Sequence, residues 1–231
     1  MEVISFPSRP VRIVVLYAPG AAADFVARTV ALGLSTQWTQ PALVDNRPGG
    51  NSIIGTEIVS RAEPDGHTLL FTSDDTFTTN PHLFRNLPYD PLKGLVPINL
   101  SGKVSMIIVA NSSVPVDTLT ALIALVRAKP GTISYGSYGV GGSAHLVIEM
   151  LKSAANREIL HVPYKGVAPA TAAVVAGDVQ IAVAGYGTMR GHIDRGRIRP
   201  IAVAAPGRVP QLPKLPTMAE LGYGKIDGTV W

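Results

Sequence analysis

The 231-residue chain has no cysteine, which excludes a disulfide framework and thiolate metal sites but leaves the compartment open. Aromatic residues are only 6% of it, and none lies between Arg190 and Arg208, where the net charge of +4 is concentrated in Arg190, Arg195, Arg197, Arg199 and Arg208. A nucleic-acid groove interleaves such cations with stacking rings. A solvated helix face is therefore expected here, and no nucleic-acid partner. Long apolar runs are also missing: the best, residues 171–184, is interrupted by Asp178 and Gln180 and cannot span a bilayer. Residues 1–5 hold neither a basic segment nor an apolar stretch, so either the chain is cytosolic or an export signal has been removed. Reaction chemistry is absent too. There is no G-x-S-x-G, P-loop or H-E-x-x-H, and His67, His82, His145, His161 and His192 form no i, i+4 pair. No catalytic residue, metal or cofactor is expected, and a binding protein is favoured over an enzyme.

What is present is apolar and small. Apolar residues make up 46% and charged ones 16%, with mean hydropathy +0.25, which argues for a folded chain of one large or two smaller domains. The central stretch starts β-prone at Ile133, Ser134 and Tyr135. It empties into Gly136, Ser137, Tyr138, Gly139, Val140, Gly141, Gly142, Ser143, Ala144 and His145, and restarts with helical spacing at 146–152. A strand that ends in small residues before a helix leaves backbone N–H groups unpaired around one concavity, where the helix dipole favours negative charge. Residues 11–17 repeat this grammar: a β-branched run, then Ala18, Pro19, Gly20, Ala21, Ala22, Ala23 and Asp24, then a helix over 25–34. A third polar loop, Ser73, Asp74, Asp75 and Thr76, follows a strand at 68–72. Its adjacent acids read as helix caps rather than as an acid–base pair.

Gly139, Gly141 and Ala144 also fit G-x-G-x-x-A formally. A dinucleotide site needs an acid at the end of the next strand, whereas the run 159–162 ends in Pro163, Tyr164 and Lys165. The alternative of a nucleotide-dependent α/β enzyme lacks that ribose contact. His145 reads equally as a ligand contact or as a first-turn residue bonded to the backbone. The remaining pattern predicts helices at 54–61 and 119–128, one long strand over 95–110 passing from sheet to sheet, and a boundary at 100–103. After it comes βαβ rhythm to residue 204. Two parallel-sheet α/β domains with a cleft between them are expected.

Several stretches resemble one family: Phe6 to Val15 with Tyr17, Ala18, Pro19 and Gly20; Asp45, Asn46, Arg47, Pro48 and Gly49; Pro64, Asp65 and Gly66; Asn80 and Pro81; Leu87 to Pro91; Gly139 to His145; Val162 to Gly166; and Leu215, Pro216 and Thr217. In order and over nearly the whole chain, they resemble the solute receptors of tripartite tricarboxylate transporters, the Bug-type receptors. The resemblance implies a two-domain periplasmic-binding-protein fold of type II, the Venus flytrap, with a parallel-rich sheet in each lobe. Lobe 1 would span residues 1–101 and lobe 2 residues 102–222, and 223–231 would begin a return to lobe 1. It implies a monomeric periplasmic protein with membrane transporter subunits as partners and a small carboxylate as ligand, captured without catalysis by backbone amides and waters. A ligand sensor without transport is a related alternative.

By the same resemblance, Tyr17, Pro19, Gly20, Ala21, Ala22 and Asp24, with Ser73 and Thr76, would line the first lobe. Ser137, Tyr138, Gly139, Gly141, Gly142, Ser143 and His145, with Tyr164, Lys165 and Gly166, would line the second. Three departures carry expectations. Gly20-Ala21 replaces the family's double glycine, adding a methyl where a ligand approaches the backbone. Ala184 stands where many members carry an acid, so a ligand without an amino group is expected. Family members also continue beyond residue 231, so bare apolar surface on the first domain and poor solubility are expected.

Overall fold

The computed structural model describes residues 6–231, without the Ala22 side chain; the reading of residues 1–5 as lacking a leader falls outside the described residues. The chain divides into two compact units between Asn99 and Leu100.

The first unit is built on β1 (Val11–Val15), α1 (Ala22–Gln37), β2 (Ala42–Asn46), α2 (Ile53–Ser60) and β3 (Thr68–Phe71), followed by the short helices α3 (Asp75–Thr78) and α4 (Asn80–Leu83). Its three strands are all parallel in the order β2-β1-β3. Side chains alternate across a strand, so β1 sends Ile13 and Val15 to one face and Val14 to the other. The first pair packs with Ala27 and Ala31 of α1; Val14 and the following Leu16 pack with Val59 of α2. A strand covered on both faces needs an unbroken apolar run, which is why 11–17 reads as one.

The second unit contains β4 (Met106–Asn111), α5 (Leu119–Ala128), β5 (Ser134–Ser137), α6 (Ser143–Ala155), β6 (Leu160–Pro163), α7 (Val167–Ala176), β7 (Ile181–Gly185), α8 (Tyr186–Asp194) and β8 (Ile198–Ala204). The sheet order is β6-β5-β7-β4-β8. β5 runs parallel to β6 and β7, but β4 is antiparallel to both β7 and β8, so this sheet is parallel-rich and mixed rather than purely parallel. All six residues of β4 are buried, as its central position with helices on both faces requires.

Three expectations need correction. The long strand over 95–110 is a strand only over Met106–Asn111. Val96 and Ile98 alternate correctly but are 84% and 77% exposed, and Pro97 between them removes a ladder donor. Residues 223–231 lie in the second unit: Val104 and Val230 exchange backbone bonds of 2.8 and 3.0 Å, and Ile226 is buried in that core. The arginine cluster is not one solvated face either. Arg190 does pair with Asp194 on α8, but Arg199 is part-buried and donates to the Val116 carbonyl, and Arg208 pairs with Glu220.

Candidate ligand-binding site

Each unit contains a point where the strand order reverses. From β1 the chain crosses to β2 on one side and then to β3 on the other; from β5 it crosses to β6 and then to β7 in the same way. In open α/β sheets ligands bind outside the carboxyl ends of the strands at such a reversal, because the connecting helices diverge there. The loops after β1 and β3, and those after β5 and β7, therefore delimit the candidate surfaces.

In the first unit the reversal brings Tyr17 and Ser73 together across 56 residues of sequence: the two hydroxyls lie 2.5 Å apart. Burial raises the Tyr17 pKa, so it stays a neutral phenol. Pro19 and Gly20 are exposed at the loop tip, and Gly20 needs glycine for its φ of +84°. Ala21 is the α1 N-cap at φ −68° and ψ 159°, extended backbone that alanine adopts without strain, so the departure from a double glycine costs no conformational energy.

Asp24 is not an open ligand group. It is 4% exposed, and its carboxylate accepts from Gly20 N (2.9 Å), Arg28 Nε (3.0 Å) and Asn46 Nδ2 (2.8 Å). The Arg28 bond above all, then those from Gly20 and Asn46, holds its pKa down to about 2. It supplies a negative charge inside the α1 first turn itself. Thr76, fully buried, bonds to Thr72 and packs inward rather than lining the loop. Asp74 occupies the α3 N-cap position, but its backbone is already helical and its side chain makes no capping bond, so the expected cap role fails.

In the second unit β5, β6 and β7 are mutually parallel neighbours, so their carboxyl ends share one edge of the sheet. Three helices start there: α6 at Gly142, α7 at Gly166 and α8 at Gly185. Each lacks a side-chain cap bond and an acid in its first turn. Their dipoles present partial positive charge that no carboxylate offsets locally, unlike α1 with Asp24. The exposed Lys165 stands beside Gly166 at this edge, and Tyr164 is joined to the loop by its N–H to the Ser137 carbonyl at 2.9 Å.

The expectation that several loop N–H groups are unpaired is overturned at three positions. Gly139 N donates to Ser137 Oγ (3.2 Å), Gly141 N to His145 Nδ1 (3.1 Å) and Ala144 N to Tyr138 Oη (3.3 Å). Buried amides cost too much unpaired, and the loop's own side chains fold back to meet them. Ser137, fully buried, also donates to the Gly139 carbonyl at 3.0 Å and lies 2.7 Å from His161 Nε2. Ser143 is buried in the first turn of α6, and Gly142 leaves no room for a Cβ, which would stand 2.6 Å from the Tyr138 ring. Ala184 does not reach the loop surface; it is 2% exposed in an apolar layer with Ile107, Met189 and Val203.

His145 thus takes the backbone role of the two open readings. Its ring lies against that of His161, tilted by 30° with centroids 4.4 Å apart, so the histidines are not all isolated from one another. Gly185 and Tyr186, at the end of β7, share the reversal and escaped sequence reading, as did Asn46, whose Nδ2 bonds both the Tyr17 carbonyl and Asp24. Strand order marks the first two, and no local pattern encodes it.

A family profile described as "Tripartite tricarboxylate transporter family receptor" matches residues 26–231. A UPF0065 protein of Bordetella pertussis is 36% identical over 229 residues, covering 98% of this chain and 70% of its own length. The structure titled "R. palustris Rpa4515 with adipate" is similar at TM-score 0.89 and 31% identity, covering 98% of this chain and 76% of that one. MatC of Rhodopseudomonas palustris, with bound malate, is similar at TM-score 0.84 and 26% identity over 98% and 77% of the two chains. No described helix is long and apolar enough to cross a membrane.

Proposed function

The chain belongs to the tripartite tricarboxylate transporter receptor family, and from that premise we propose how it takes its ligand. As a member it is a periplasmic receptor for small carboxylates and not an enzyme. The loops after β1 and β3 in one unit and after β5, β6 and β7 in the other are the ligand-binding elements. One observation carries this reading: three helix N-termini without an acid in the first turn start along the shared edge of β5, β6 and β7, beside Lys165. Such an edge stabilises a carboxylate through backbone dipoles and a single cation.

The ligand lacks an amino group. The helix starts along the β5, β6 and β7 edge carry no first-turn acid that could pair with an ammonium, and a buried charge left unpaired there is costly. Malate and adipate, bound by the two relatives, are the first probes. The receptor acts as a monomer, between solute and the membrane subunits of the transporter. A thermal-shift screen of mono-, di- and tricarboxylates, amino acids and nucleotides tests the reading, since a ligand at 100 times Kd adds roughly 2.7 kcal/mol to the folded state. Shifts confined to carboxylates support it. Tight aspartate or glutamate binding overturns the amino-free ligand, and a shift with nucleotides alone overturns the receptor assignment of these loops.

A further inference from the structure

We infer that His145 is the latch of the 137–142 loop: its neutral Nδ1 holds the Gly141 N–H, and protonation of that nitrogen releases the loop and weakens carboxylate binding. The inference rests on the reading of this loop as a ligand element. A backbone N–H can only donate, so the 3.1 Å contact requires a lone pair on His145 Nδ1 and places the ring proton on Nε2. Adding a proton to Nδ1 sets two N–H groups against each other at that distance. The contact must then open, and Gly141, at φ +83°, is one of the two left-handed glycines that shape the loop.

The surroundings decide how readily this occurs. From its own helix, His145 faces Glu149, whose Oε1 lies 3.9 Å from Nε2, and Lys152, which bonds both Glu149 oxygens at 2.9 and 3.0 Å and reaches Glu158 at 3.3 Å. From β5 comes Tyr135, stacked 6.4 Å away and donating to Glu149 at 2.6 Å; from β6 comes His161, 4.4 Å away. Burial, and then Lys152, keeps the His145 pKa below the usual imidazole range, against the pull of Glu149. His161 is also lowered, by burial and then by His145 itself, because two adjacent imidazoliums repel. Glu149, itself bonded to Tyr135 and Lys152, pulls the His145 pKa up more than Lys152 pushes it down, but burial outweighs both. The latch therefore stays closed at neutral pH and opens as the medium turns acid. His145 acts as a positioning residue, through Gly141, without touching the ligand.

The test is calorimetric titration of malate and adipate into the full chain and its His145→Asn and His145→Ala variants between about pH 5.5 and about pH 8. An asparagine amide oxygen can accept the Gly141 N–H but cannot titrate, and ionisation of the ligand is common to all three proteins. Wild-type affinity is expected to fall roughly tenfold more than that of His145→Asn over this range, the scale of one lost hydrogen bond to a loop amide. His145→Ala should bind weakly at every pH, with asparagine restoring what alanine loses. An identical pH profile for wild type and His145→Asn overturns the inference. In the ligand-free protein, the Gly141 amide resonance should move with the His145 ring titration, and a resonance indifferent to it also overturns the latch. If neither probe binds at any pH, the receptor reading of the loop fails, and the amide titration still decides the latch.

Discussion

Ser137→Ala is the sharpest perturbation of the second-unit loop, because a single oxygen there serves three groups. Ser137 Oγ donates to the Gly139 carbonyl at 3.0 Å, accepts from Gly139 N at 3.2 Å and contacts His161 Nε2 at 2.7 Å, with the residue fully buried. Alanine keeps the backbone and the volume to within one oxygen, and strands all three partners. Each buried group left unpaired costs roughly 1–3 kcal/mol, but Gly139 is only half-buried and recovers part of this from water. The net loss is expected near 2 kcal/mol, or a fall in Tm of roughly 6–10 °C for a unit of this size. Trp38 and Trp231 lie in different units, so urea unfolding in a Trp38→Phe background follows the second unit through Trp231. A loss below about 0.5 kcal/mol would refute the reasoning, because it would mean that water replaces the serine and that the loop does not depend on this hub. Carboxylate affinity should fall in the same variant, since the released residues 138–140 lead directly into the start of α6.

Two further outcomes follow from other parts of the chain. Asp24 has a folded pKa of about 2, below the ordinary carboxyl value near 3.8, so its contribution is fully present above about pH 4 and is lost as pH falls toward 2. Urea midpoints measured from pH 5 to pH 2 should therefore fall less steeply for Asp24→Asn than for wild type, and equal slopes would contradict the assignment. Gly55→Ala should destabilise the first unit although alanine favours helices. An added Cβ would stand 2.2 Å from Leu16 Cδ2 and 3.1 Å from the Arg47 carbonyl, and overpacking outweighs the propensity gain by about 1 kcal/mol. A stabilised variant in a urea melt would show that Leu16 yields freely.

Much of each unit was legible because its signals are local. The 11–17 run announced a strand buried on both faces, and β1 with Val14 and Val15 fully buried is that strand. The 119–128 amphipathic pattern coincides with α5, opened by Thr118 as a bonded cap. The error over 95–110 came from reading alternation and β-branched residues without regard to a pairing partner: Val96, Ile98 and Leu100 have the period of a strand, but no strand among the described residues pairs with them and Pro97 lacks a donor. The same limit made β4 look like part of a parallel sheet, since an apolar run records burial and not direction.

By itself the sequence determined that each half would carry a strand emptying into small residues before a helix, because burial, glycine tolerance and helix initiation act over a few neighbouring residues. It also determined that no cysteine or familiar catalytic motif would be at hand. Only the tertiary structure decided that both units reverse their strand order at those loops, that Tyr17 meets Ser73, and that His145 lies against His161. Only the tertiary structure revealed that Ser137, Tyr138 and His145 occupy amides that the loop pattern left open. Those outcomes depend on which distant segments pair and on which buried donors must be satisfied, and neither is encoded in the period of any single stretch.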